Sequence, residues 1–202
     1  MIKSISKKLI EVSFPSFEGE IKMLPFNLSD LSSIPKQFLE LVMSMINFLP
    51  IKEGIAYLTV DGKMIPAGSS HRRGGAHIDG NYIPEMCGWG SSGNGGGNGW
   101  KVGENGRALD SDTHKLSYNN PDGGMLIVSD YAGCKGWNGA FNGEPGIGGD
   151  CRHIELDKGF ILEPNTVYYG SSQFIHESLP LEKEVYRTMI RITLPLDYPI
   201  IN

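Results

Sequence analysis

Apolar positions along the chain change their period twice. Between residues 36 and 49 they recur at three- and four-residue intervals, so that Phe38, Leu41, Val42, Met45, Ile46 and Leu49 form one stripe. This predicts an amphipathic helix with one buried face. Ser33 is the candidate N-cap and Pro35 suits the first turn. Upstream, "KKLIEVSF" and "GEIKMLPF" read as two short strands joined by a turn at "PSFEG". Downstream, "GIAYLTVDGKMIP" reads as a hairpin, because Asp61-Gly62 is a favoured two-residue turn between β-prone runs. The last quarter is dense in strand-like segments: "RHIELDKG", "GFILEP", "TVYYG", "QFIHESL" and "VYRTMIRITLPL". One supporting helix followed by many short strands predicts a mainly β fold. The expected arrangement is a double-sheet, cupin-like jelly roll, which brings sequence-distant strands together at one mouth.

The alternation lapses between 86 and 150, a segment that holds 18 of the 27 glycines and all three tryptophans. Its tract "SSGNGGGNG" is linker-like and cannot fill a core. Trp89, Trp100 and Trp137 nevertheless imply that parts of it pack onto something. A partly anchored surface loop is the leading expectation and a lid over a ligand site the second. Inside it, "GGMLIVSD" reads as a buried strand. A chain of 202 residues suits one domain, with 1–54 as N-terminal strands and helix and 55–195 as the jelly-roll core.

Composition narrows the partners. The net charge of -5, with no block of five like charges, argues against long nucleic acid and against a basic membrane patch. The N-terminus lacks an apolar h-region and no run of 18 apolar residues occurs, so a soluble, unsecreted, cytoplasmic protein with no membrane partner is expected. Cys87, Cys134 and Cys151 are odd in number and lack C-x-x-C spacing, which predicts reduced thiols. Nothing in the sequence specifies an oligomeric state.

Candidate chemistry begins at "RRGGAHIDGNYIP". On a strand, His77 and Asp79 share a face and can reach one ion. Of the other histidines, His114 sits in a polar loop, His153 has no partner signal, and His71 shares the parity of His77 but has no acid two residues on; all three read as structural or solvated. His176 lies in an apolar strand and is followed by Arg187 at +11 and Arg191 at +15. On that last strand Arg187, Met189, Arg191 and Thr193 face one way, and Tyr186, Thr188, Ile190, Ile192 and Leu194 the other. Inward guanidinium groups stay buried only when paired with anions, and a carboxylate gripped by a bidentate fork is the economical partner.

His77-x-Asp79, then His176 and Arg187, resembles the H-x-D...H...R pattern of the iron(II) and 2-oxoglutarate-dependent oxygenases, whose fold is a double-stranded β-helix. "YRTMIRIT" is similar to the arginine strand of the taurine dioxygenase branch, although the rest of the chain departs from that branch. The resemblance implies Fe(II) held by His77, Asp79 and His176, with 2-oxoglutarate as cosubstrate and its distal carboxylate on Arg187. Arg191 would assist there or bind an anionic group of the substrate. Arg73 either looks into the mouth or is solvated at its rim. Ser178 either touches the cosubstrate or bonds to neighbouring backbone, the latter being the expectation. The implied activity is a dioxygenase that oxidises a C–H bond of a small-molecule or peptidyl substrate, releasing succinate and CO2. Two other classes remain open: a cupin-like metalloenzyme that uses no 2-oxoglutarate, and a non-catalytic jelly-roll binding or structural protein, including a viral one.

Overall fold

The computed structural model describes residues 1–80 and 122–201. Among these the chain is mainly β, with one α-helix and antiparallel sheets, an arrangement compatible with a β-sandwich. The largest sheet has six strands in the order β2 (Ser6–Glu11), β9 (Thr166–Gly170), β5 (Met125–Ser129), β11 (Val185–Thr193), β4 (Ile55–Ile65) and β3 (Gly19–Asn27). A smaller sheet joins β10 (Ile175–Ser178), β6 (Cys134–Trp137) and β8 (Phe160–Ile161), and β1 (Ile2–Ser4) pairs with β7 (Gly139–Phe141). No described helix is long and apolar enough to cross a membrane.

Several expectations meet a different structure. The two N-terminal strands are not joined by a turn: β2 pairs with β9 and β3 with β4, at opposite edges of the same sheet. The intervening residues cross the sheet, with Val12, Phe14 and Phe17 packed against the apolar core and the Phe17 ring 4.9 Å from that of Phe38. Burial of this segment overrides its local turn signal. Asp61-Gly62 is likewise no hairpin turn but mid-strand, paired with Glu20 and Gly19 on one side and with Met189 and Thr188 on the other. Two flanking ladders outweigh local propensity here. The residue is glycine because of a close approach: a Cβ on Gly62 would lie 2.8 Å from the Phe17 carbonyl oxygen and 3.0 Å from the Tyr186 hydroxyl. "RHIELDKG" forms no strand.

The helix α1 (Lys36–Ile46) begins without a side-chain cap. Pro35 holds the N-cap position, and the Ser33 hydroxyl instead donates to the Pro25 carbonyl at 3.5 Å. Its apolar stripe is buried as the sequence implies, against Leu58, Val60, Ile190 and Ile192 on one face of the large sheet. The expected strand in "GGMLIVSD" is β5, buried at all five positions. The Gly/Trp-rich segment is only partly loop, since β6 and β7 lie within it and Trp137 is buried with its indole N–H donating to the Asp157 carbonyl at 2.9 Å. Trp89, Trp100, His114 and Cys87 lie outside the described residues. Cys134 and Cys151 are free thiols, as expected.

The second face of the large sheet turns toward the small one. Met125, Ile127, Tyr168 and Met189 pack there against Cys134, Leu162 and Phe174. Around this apolar contact the same face carries buried Thr59, Asp61, Ser129, Arg187 and Arg191. The space between the sheets is therefore polar and charged, and the candidate site lies in it.

Candidate metal centre

His77 and His176 come together as an isolated antiparallel bridge. The His77 N–H donates to the His176 carbonyl at 3.0 Å, and the His176 N–H donates back at 2.9 Å. Residues that exchange both bonds stand directly opposite, with side chains on one face. Their ring centroids are accordingly 4.6 Å apart. Asp79, two residues beyond His77, projects to the same place. Asp79 Oδ1 lies 3.8 Å from His77 Nε2, and Asp79 Oδ2 lies 3.8 Å from His176 Nε2. All three side chains are buried, with candidate ligand atoms within 4.8 Å of one another. The group can hold a metal ion.

Three features of the donor set fit an ion. First, each imidazole is pinned through its other nitrogen: His77 Nδ1 lies 2.7 Å from the Gly75 carbonyl and His176 Nδ1 lies 3.0 Å from the Phe174 carbonyl. A carbonyl only accepts, so each Nδ1 carries the proton and each Nε2 lone pair is left toward Asp79. Second, burial, reinforced by the neighbouring His176, pushes the His77 pKa down to about 4. Neutral imidazole, the metal-binding form, therefore prevails at neutral pH. Third, burial works to raise the Asp79 pKa, but Arg191 and the two imidazoles outweigh it and hold the carboxyl below its ordinary value. Bonds of about 2.1 Å place adjacent octahedral ligands about 3 Å apart, so closing on an ion needs movements under about 1 Å.

The two arginines differ. Arg191 Nη1 donates to Asp79 Oδ2 at 2.6 Å, both groups buried, so it orients a candidate ligand rather than standing apart from the metal group. Arg187 is fully buried. Its Nε donates to the Tyr131 carbonyl at 3.0 Å, and its Nη2 to the Ser129 hydroxyl at 3.0 Å and the Cys134 sulfur at 3.2 Å. Its Nη1 is buried with no hydrogen-bond partner. An unmatched charged donor in the interior costs more than the 1–3 kcal/mol of a neutral one, and it is the kind of group an anionic ligand satisfies.

Other candidates fall outside the centre. Arg73 is exposed and donates to the Gly148 carbonyl. Ser178 accepts the Arg72 N–H at 3.2 Å, the structural role expected of it. His153 is exposed, with Nε2 3.0 Å from the Glu144 carbonyl. Burial pushes the Cys151 thiol up to about 12, an unreactive state. His71, which the sequence places among the structural or solvated histidines, has a wholly buried side chain with Nε2 3.3 Å from Asp61 Oδ2, a partner ten residues away in a segment that reads as a turn. No spacing rule pairs them. Comparison of the chain with family models, curated proteins and solved structures finds no match.

Proposed function

We propose that this protein is an Fe(II)- and 2-oxoglutarate-dependent dioxygenase with a double-stranded β-helix core. The observation that carries the reading is the buried His77, Asp79 and His176 set, which meets the large sheet through the Arg191–Asp79 bond, with the unpartnered Nη1 of Arg187 on the same face of β11 as Arg191. Two imidazoles and one carboxylate are the donor set of non-haem Fe(II) oxygenases, and they leave other coordination positions open. Bound Fe(II) and 2-oxoglutarate would supply the oxidising chemistry, with succinate and CO2 as products.

The chain's own residues have separate tasks. His77 and His176 present Nε2 lone pairs in a tautomer fixed by backbone carbonyls. Asp79 supplies negative charge at an orientation set by Arg191. Arg187 offers Nη1 to the distal carboxylate of the cosubstrate, a charge-assisted bond of about 1.5–3 kcal/mol. The packed sheets keep water from these groups.

The test is anaerobic Fe(II) titration of purified protein, followed by a succinate assay with 2-oxoglutarate and oxygen. Wild type should bind one equivalent of metal and form succinate slowly even without substrate. His77→Ala should lose both activities, and Arg187→Ala should raise the KM for 2-oxoglutarate at least tenfold while keeping the metal. Metal binding without succinate would favour a cupin-like metalloenzyme. Failure to bind Fe, Mn, Ni, Co or Zn would leave the non-catalytic jelly-roll reading.

A further inference from the structure

Asp61 is a second buried carboxylate on the inner face of β4. Its Oδ2 gathers three cationic or protonatable groups: Lys63 Nζ at 2.9 Å, Arg72 Nη1 at 3.2 Å and His71 Nε2 at 3.3 Å. Burial opposes ionisation of Asp61, but His71 and Lys63 outweigh it and keep the carboxyl ionised. His71 approaches Asp61 off the hydrogen-bonding direction, and both of its ring nitrogens are buried with no hydrogen-bond partner. The metal group accounts for neither nitrogen.

The His71 loop is packed beside Arg187. Gly68 N–H donates to the Leu181 carbonyl at 2.8 Å, and Leu181 N–H donates to the Ser69 carbonyl at 3.0 Å. Leu181 in turn abuts Gly133, where a Cβ would lie 2.8 Å from Leu181 Cδ2 and 3.3 Å from Arg187 Cζ. On the sheet, Arg187 pairs with Lys63 and Met189 with Asp61, so Arg187 and Asp61 are diagonal neighbours on one face. The charge of Arg187 reaches the imidazole: burial, Arg187 and Lys63 push the His71 pKa down against the pull of Asp61. Two fully buried groups, His71 and Arg187, thus each hold a nitrogen without a partner in the same corner of the interior.

A neutral imidazole has one N–H, and the negative charge of Asp61, 3.3 Å from Nε2, favours its placement there, which leaves Nδ1 without a proton. Nδ1 can donate to an anion only when the ring carries a second proton. Arg187 and Lys63 disfavour that proton, as does the positive charge of Arg72 at Asp61, and Asp61 favours it; Asp130, whose carboxylate accepts the Thr188 N–H at 2.8 Å, interacts with Arg187. A carboxylate bound at Arg187 offsets that guanidinium's positive charge, which opposes protonation of His71, and tips this balance. We propose that His71 is the second donor of the carboxylate pocket formed by Arg187, taking up a proton from solvent as the carboxylate binds, with Nε2–H on Asp61 and Nδ1–H on the ligand. The ligand's identity as 2-oxoglutarate rests on the function proposed above.

Calorimetric titration of the Mn(II)-loaded protein with 2-oxoglutarate, in two buffers of different ionisation enthalpy, tests this. Metal-bound His77 and His176 do not contribute protons under these conditions. Wild type should take up about one proton near pH 7.5, with affinity falling up to about tenfold per pH unit between pH 6.5 and 8.5. His71→Gln should bind more weakly at pH 6.5, take up no proton and show a flat profile. Binding by wild type with no proton uptake overturns the inference and leaves the oxygenase reading standing. Absence of any binding overturns both. The wild-type measurement decides even if the variant does not fold.

Discussion

Strand β11 shows two chemistries on its two faces. Ile190 and Ile192 point into the apolar layer under α1, where burial is complete and no charge intervenes. Arg187 and Arg191 point the other way into an interior that is just as buried, where each guanidinium needs an anionic or polar partner. The same backbone ladder supports both. Apolar burial stabilises without requiring precise partners, at roughly 25 cal/mol per Å². Buried ion pairs give little net stability and depend wholly on their partners. The helix-covered face is therefore the part that holds the fold, and the face toward the small sheet carries the buried charged groups of the candidate site.

The contrast can be broken from either side. Phe38→Ala removes a fully buried ring from the helix layer and should cost about 3–5 kcal/mol in urea denaturation, with metal stoichiometry of the folded fraction unchanged. Arg191→Met leaves Asp79 buried without its guanidinium and should cost about 3 kcal/mol. Added divalent metal should recover more stability in this variant than in wild type, because the cation replaces the lost charge. Equal metal-induced shifts in urea midpoint would show that Arg191 does not act through Asp79.

A pH series separates the two faces without mutation. The His77 pKa is pushed down to about 4 in the folded chain against about 6.5 when unfolded. Above pH 6.5 both states are neutral there and its contribution is intact. Between pH 6.5 and 4 the unfolded chain binds a proton that the folded chain refuses, so stability falls as pH falls. Asp79, with its pKa lowered, extends the loss below about pH 4. Urea midpoints of metal-free protein should drop steadily across this range, and constant midpoints would contradict the burial of His77. The smallest effect belongs to Ser178→Ala, which removes one acceptor of a backbone N–H and should cost about 1 kcal/mol.

The grouping of the candidate metal ligands was partly legible because it depends on alternation along extended chain. His77 and Asp79 share a face, the alternation along 185–194 separates arginines from isoleucines, and the stripe of α1 is buried as its period requires. Ser178 and Arg73 took their bland roles, a backbone contact and a solvated rim. Illegible were features in which distant chain outweighs local signal: β2 and β3 at opposite sheet edges, Asp61-Gly62 inside a strand, and β6 and β7 within a glycine-rich stretch. Each rests on pairing with a strand that no window of sequence contains.

The amino-acid order by itself determined which side chains share a face and which segments favour strand or helix, because those follow from backbone periods of 2 and 3.6 residues. Tertiary structure decided which faces meet. The His77 and His176 bridge, the grip of Arg191 on Asp79 and the pairing of His71 with Asp61 all join residues through strand register and close packing, and register is set by ladders between segments far apart in the chain.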